Sequence, residues 1–278
     1  MNSGRLYIVP TPIGNLSDIT IRAINILKNC DLVIAEDTRI TRNLLKHYQI
    51  KTNIISYHKF NEVKKADFVL KLLMDGKNIS LVSNAGTPLI SDPGFVIIDK
   101  AIRHGIKIDV LPGPSSVLPA ILLSGFNPER FFFYGFLNKK NSIRKDEISW
   151  IGKMPYPVII FESPLRIIRL LDEFLEIIGD REIAVVKELT KIYENIFRGK
   201  ISEIKPQLNE NNLKGEFIVI LGPYKELPET TDYDSVIKRV NYYLKTGKTK
   251  KEIVSLISNE FGLKRNEAYK IIHDKMEV

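Results

Sequence analysis

The stretch Leu81–Gly94, LVSNAGTPLISDPG, decides how the rest of the chain is read. An apolar run (Ile79, Leu81, Val82) stops at small and turn-forming residues, with Gly86, Pro88, Pro93 and Gly94 inside nine positions. This pattern predicts a buried parallel strand emptying into a long loop at its carboxyl end. In open α/β sheets, ligands bind outside the carboxyl ends of the strands. Two further stretches repeat the pattern, LYIVPTPIGN (6–15) and IDVLPGPSS (108–116). Three such exits predict one shared cleft lined mainly by backbone.

Outward from that stretch, apolar strands and amphipathic helices alternate from Leu6 to Leu111, which predicts a mainly parallel sheet with helices on both faces. A second unit begins near a helix at Ser116–Leu123 that Gly125 ends. It contains an aromatic segment Phe131–Phe136, read as a buried strand, and a strand at Val158–Phe161. A helix over Leu165–Ile178 follows, with Ser163 as N-cap, Pro164 in its first turn and Gly179 as its stop. Strands at Ile183–Val186 and Glu216–Leu221 close the unit. The expected organisation is an N-terminal α/β domain (1–115), a second α/β domain (116–223), a polar linker (224–234) and a basic module shaped like a helix-turn-helix (235–278). In that last segment ten Lys or Arg face five Asp or Glu, and Thr249 is placed to cap its middle helix. A helical bundle that merely packs on the core or on a second copy would have the same pattern.

The composition bounds the chemistry. The chain has 278 residues, 44% of them hydrophobic and 27% charged, as in an ordinary globular protein. A formal charge of +8 points to a polyanionic partner, although a lysine-rich bias alone produces the same sum. The one cysteine, Cys30, lies in the apolar pattern of Ile26 and Leu27 and reads as a buried structural thiol. There is no signal-peptide pattern and no apolar run long enough to span a bilayer, so a cytoplasmic protein is expected. GxGxxG and the Walker pattern are absent. His47, His58, His104 and His273 have no metal-ligand spacing, so no metal is expected. What remains is loop chemistry. Gly14, Gly86, Gly94 and Gly113 allow close backbone approach, and Ser115 and Ser116 stand where a helix begins, among free N–H groups that favour a negative group.

At this point the motifs form a set. PTPIGNL (10–16), AEDTR (35–39), SNAGTPLISDPG (83–94), LPGPSS (111–116), FESPLR (161–166) and KELTK (187–191) occur in this order. The chain resembles the tetrapyrrole methylase superfamily, and within it the group that methylates the ribose 2′-hydroxyl of a cytidine in small-subunit (16S) ribosomal RNA. The resemblance covers about Leu6 to Pro223. It implies two α/β domains with an S-adenosylmethionine cleft between them, a small C-terminal helical module that binds RNA, the small ribosomal subunit or its RNA as partner, and a homodimer. Two positions depart from that group's pattern: Asn84, where Asp is usual, and Leu165, where His is usual.

Carried over by resemblance, the cofactor site comprises Pro12, Gly14, Gly86, Thr87, Pro88, Ile90, Ser91, Asp92, Ser115 and Ser116. From the second domain it takes Phe161, Glu162, Glu188, Leu189 and Gly215. Asp92 serves equally well as a helix cap. Glu36, Asp37, Glu162, Lys187 and Glu188 are candidates for a general base, and Glu36 with Lys187 is the preferred pair. The alternative makes AEDTR a salt-bridged corner in which Arg39 pairs with Glu36 or Asp37. RNA contacts are expected from Arg39, Arg42, Lys139, Lys140, Arg144, Lys145, Lys250, Lys251, Lys264 and Arg265. Two rival functions share these features, a methyltransferase acting on a tetrapyrrole and a non-enzymatic RNA-binding assembly factor.

Overall fold

The computed structural model describes residues 3–208, 213–224, 233–261, 263 and 265–276. Residues Met1–Tyr224 form one compact unit and Lys225–Val278 a second. The boundary expected after residue 115 falls inside the first unit.

The first sheet contains β1 (Arg5–Ile8), β2 (Leu32–Ala35), β3 (Ile54–Ser56), β4 (Ile79–Val82) and β5 (Lys107–Val110), in the order β3-β2-β4-β1-β5. Every pair is parallel, as the alternation predicts. The helices between these strands are α1 (Ile21–Asn29), α2 (Thr38–His47), α3 (Glu62–Met74) and α4 (Phe95–Arg103). The pleat divides the strand residues between two cores. Leu6, Ile8, Ile34, Ile79 and Leu81 pack with Leu70, Leu73, Ile97 and Ala101 of α3 and α4. Val33, Ala35 and Val82 pack on the other face with Ala23, Leu27 and Leu45 of α1 and α2. Cys30 is buried in that second core. Because β4, β1 and β5 are neighbours, their glycine-proline exits open side by side.

The second sheet differs from the first in hand of pairing. It is built from β6 (Phe132–Phe136), β7 (Val158–Glu162), β8 (Glu182–Lys187), β9 (Asn195–Lys200) and β10 (Phe217–Leu221), in the order β6-β7-β10-β8-β9. Only β6 and β7 are parallel. The helices of this region are α5 (Val117–Ser124), α6 (Asn141–Ile151), α7 (Ile167–Ile178) and the short α8 (Ile201–Ile204). One face packs on α6, α7 and α8 through residues such as Val158, Ile160, Val185 and Val219. The other face presents Ile159, Ala184, Val186, Ile218 and Ile220 to α5 and to two loop residues, Ile13 and Leu189.

Two local expectations change. β6 is an edge strand, so its aromatic run is only half-buried, with Phe132 and Phe136 exposed. Helix α7 starts at Ile167 rather than Leu165, because the Glu162 carboxylate takes the Ser163 N–H at 2.7 Å and the Arg166 side chain, folding 163–166 into a turn.

The second unit, described by itself, consists of α9 (Tyr233–Lys245), α10 (Lys250–Phe261) and α11 (Arg265–Met276). Val236, Val240, Ile253, Ile257, Ala268 and Ile272 form its core. Thr249 caps α10 as expected: its N–H donates to the Glu252 carboxylate at 2.8 Å and its hydroxyl accepts from Glu252 N–H at 3.4 Å.

Candidate active site

The three exit loops are stitched to one another. Thr11 and Gly86 exchange backbone hydrogen bonds of 2.9 and 2.8 Å. Ser83 donates its hydroxyl to the Gly86 carbonyl (3.2 Å), and Thr87 donates to the Pro114 carbonyl (3.0 Å). Backbone strain gathers in two of the surrounding loops. Among the described residues, five that are not glycine have positive φ, and four of them, Leu89, Ser91, Glu188 and Thr190, lie here. Each such conformation costs on the order of 1–3 kcal/mol and persists where the surroundings over-determine it, commonly at functional sites.

Between these loops and the open face of the second sheet lies a cavity of about 370 Å³. Of the residues expected to bind the cofactor, Gly86, Thr87, Ile90, Ser91, Asp92, Ser115, Ser116, Phe161, Glu162, Leu189 and Gly215 line it. Pro12 and Gly14 do not; they line a neighbouring hollow. Gly14 serves close approach, since a Cβ there would stand 2.5 Å from Lys191 Cγ. Pro88 is buried behind its loop. Glu188 is a brace rather than a wall: its carboxylate accepts from Lys191 Nζ and from Glu216 N–H, both at 2.9 Å. Burial pushes this carboxyl up, but the two hydrogen bonds and the lysine charge together hold it below its ordinary value. A Cβ on Gly215 would strike Glu188 Oε1 at 2.2 Å. Phe136, Val186 and Ile218 also line the cavity and were not anticipated. Val186 and Ile218 read as ordinary core in the sequence, and only the second sheet's order turns them toward a ligand.

Gly86 has φ +76°, and a Cβ there would meet Ile13 Cγ2 at 3.2 Å. Gly86→Val is therefore expected to weaken cofactor affinity at least tenfold by isothermal titration calorimetry, through loop strain and loss of cavity volume.

Asp92 lines the cavity and interacts with the Glu36 carboxylate, which is not part of the lining. Glu36, just beyond β2, accepts from Asn84 Nδ2 at 2.8 Å, and Asn84 Oδ1 accepts the Asp37 N–H at 3.0 Å. An Asp at position 84 would place a further carboxylate beside Glu36 and Asp37. Burial first, and then the charge of Asp37, pushes the Glu36 carboxyl up, while His58 opposes the rise. Burial first, and then the charge of Glu36, pushes Asp92 up to about 6. Asp92 is not a helix cap; Gly94 takes that place in α4. Arg39 pairs with Asp37, not Glu36, with Nη2 2.6 Å from Oδ2, and this contact holds Asp37 down at about 2. Lys187 ends β8 opposite Phe217, does not line the cavity and makes no ion pair with Glu36. Leu165 is 95% exposed and is not among the residues that line the cavity, although its neighbours Ser163 and Pro164 are.

The RNA contacts require one correction. Arg144 is only 2% exposed. On α6 it faces the second core, where its guanidinium pairs with Glu162 at 3.1 Å and with Glu173. It holds the Glu162–Ser163 lip of the cavity instead of meeting solvent. Arg39, Arg42, Lys139, Lys140, Lys145, Lys251 and Arg265 are exposed. Lys145 pairs with Glu176 (2.9 Å), and Lys250 sits 4.6 Å above the Tyr269 ring. Lys264 lies outside the described residues. Among the described residues no cluster of three or more His, Cys, Asp or Glu could hold a metal, and no helix is long and apolar enough to cross a membrane.

The family model described as tetrapyrrole (corrin/porphyrin) methylases matches residues 5–205. The chain is 40% identical over 277 residues to ribosomal RNA small subunit methyltransferase I of Bacillus subtilis, covering 98% of this chain and 95% of the relative. A relative of the same name from Thermotoga maritima is 43% identical over 218 residues, covering 78% of this chain and 98% of its own. Among solved structures, uroporphyrin-III C-methyl transferase from Thermus thermophilus, complexed with S-adenyl homocysteine, superposes with a TM-score of 0.58 at 19% identity, over 79% of this chain and 97% of that one. With the paired sheets and the cavity between them already in place, the chain belongs to the tetrapyrrole methylase family.

Proposed function

We propose that this chain transfers a methyl group from S-adenosylmethionine to the 2′-oxygen of a cytidine ribose in small-subunit ribosomal RNA, in the cytoplasm. The observation that carries the reading is the cavity where three glycine-proline exits meet the second sheet, with Asp92 in its lining and Glu36 acting on Asp92 from behind it. The small-subunit RNA substrate is taken from the relatives' name, and the ribose position from the motif resemblance.

The donor groups present fit the cofactor. Backbone at Gly86–Thr87 and the Ser115–Ser116 turn offer hydrogen bonds, Phe161, Leu189 and Ile218 offer apolar walls, and Asp92 offers a carboxylate for a cation. When bound, S-adenosylmethionine supplies an electrophilic methyl carbon on a sulfonium. The protein's share is to orient two partners and exclude water. Glu36, held by Asn84, would accept the proton that the ribose hydroxyl loses as its oxygen attacks. Lys187 remains the other candidate for that role. The exposed cations of α2, Lys139, Lys140 and the C-terminal helices would take RNA phosphates, setting affinity and register rather than sequence. A homodimer is part of the proposal, supported by Leu118, Leu122 and Val110, which are 57%, 69% and 59% exposed.

Isolated small subunits, labelled from methyl-tritiated S-adenosylmethionine and then digested, test the reading. Label is expected at one alkali-resistant cytidine linkage. Label on a base would overturn the ribose assignment, and transfer to a free tetrapyrrole but not to RNA would overturn the substrate class.

A further inference from the structure

Beside the cofactor cavity lies a second hollow of about 440 Å³, and the two share Ile13 and Ala85 in their walls. It opens between the β1 exit loop and α2. Leu16 and Ile40, 42% and 47% exposed, give it two apolar side chains. The Tyr48 hydroxyl donates to the Leu16 carbonyl and fixes that side. Asn43 and His47, one turn apart on α2, and Asn84 give it a polar edge. Asn84 spends one N–H on Glu36 and one lone pair on the Asp37 N–H, which leaves one donor and one acceptor on the same amide.

The opposite side of α2 lines a different groove, where Arg42, Lys46 and Lys51 gather. Helix α2 is thus a ridge between a hollow of mixed apolar and amide character and a basic track. A flat heterocycle with donors and acceptors on its edge fits the first, and a phosphate backbone fits the second. A paired helix displays its 2′-oxygens in a wide, shallow minor groove; for one of them to enter a recessed cavity its nucleotide leaves the stack, and the base then needs a place to go.

We propose that this hollow receives the base of the acceptor nucleotide, turned out of its helix, while the Arg42–Lys46–Lys51 groove holds the flanking phosphates. The inference rests on the RNA methyltransferase reading and extends it to a substrate subsite. The hollow's wall carries Asn84, so the base's ribose would sit within reach of Glu36.

Leu16→Trp and Ile40→Trp fill the hollow from exposed positions without changing charge. Each is expected to lower kcat/KM for small subunits at least tenfold, with unchanged cofactor affinity and melting temperature. Subunits reconstituted with an abasic residue at the mapped acceptor provide the second arm. Wild type should lose at least tenfold on them, and the tryptophan variants should lose little more, because protein and RNA changes remove the same contact. Variants within twofold of wild type, or losses that multiply independently, would overturn the subsite and leave the methyltransferase reading standing. No transfer to subunits by wild type would overturn both.

Discussion

Glu36→Gln is expected to lower kcat for methyl transfer by roughly 10²–10⁴-fold while cofactor affinity stays within about twofold. Glutamine keeps the side-chain volume and can still accept from Asn84, but it cannot take a proton. Activity of the wild-type enzyme should also rise with pH. The Glu36 and Asp92 carboxyls are both raised, Asp92 to about 6, so the base becomes available as pH rises through the range in which the pair ionises. The two sites interact, so the midpoint belongs to the pair rather than to either residue. The same shift has a stability side. A carboxyl whose folded pKa lies above its unfolded value of 3.8 stabilises the folded state below that value, and the contribution is lost as pH rises through about 6. Asp92→Asn should therefore gain in melting temperature over wild type at pH 7.5 and gain little at pH 4. A Glu36→Gln enzyme with kcat within threefold of wild type would remove Glu36 from the mechanism.

Arg144→Met is expected to cost about 3–5 kcal/mol in urea unfolding, the penalty of leaving buried charge uncompensated. Glu162 and Glu173 are 3% and 8% exposed, and Arg144 bridges them. Arg166 and Arg169 each keep one contact, with Glu162 and Glu173 respectively, so the loss falls on the inner oxygens. Cofactor affinity should fall as well, since Glu162 anchors the Ser163 turn that lines the cavity. An exposed arginine whose role was to touch RNA would give the opposite pattern, with stability intact and RNA affinity reduced.

The two readings of Arg144 show why part of the site stayed hidden. In the sequence it sits among Lys139, Lys140 and Lys145 and looks like one more surface cation. Its direction is set by its position on α6, which the polar sequence there does not mark. Arg39 was more legible, because its pairing with Asp37 is local. Glu36 was visible as a carboxylate just beyond a strand. Its neighbour Asp92 lies 56 positions later and comes close only because β2 and β4 pair in the sheet.

By itself, the sequence determined the parallel N-terminal sheet, the three exit loops, the helical C-terminal unit and the family. These features are local. Period-two and period-3.6 burial, glycine where φ must be positive, and proline where the chain must stop all leave their mark on consecutive residues. Only the tertiary structure decided the antiparallel order of the second sheet, the cavity walls at Val186 and Ile218, the meeting of Glu36 with Asp92, the burial of Arg144 and the second hollow against α2. Each depends on which strands become neighbours and which face of a helix turns inward, and long-range pairing of that kind leaves no periodic trace in a single chain.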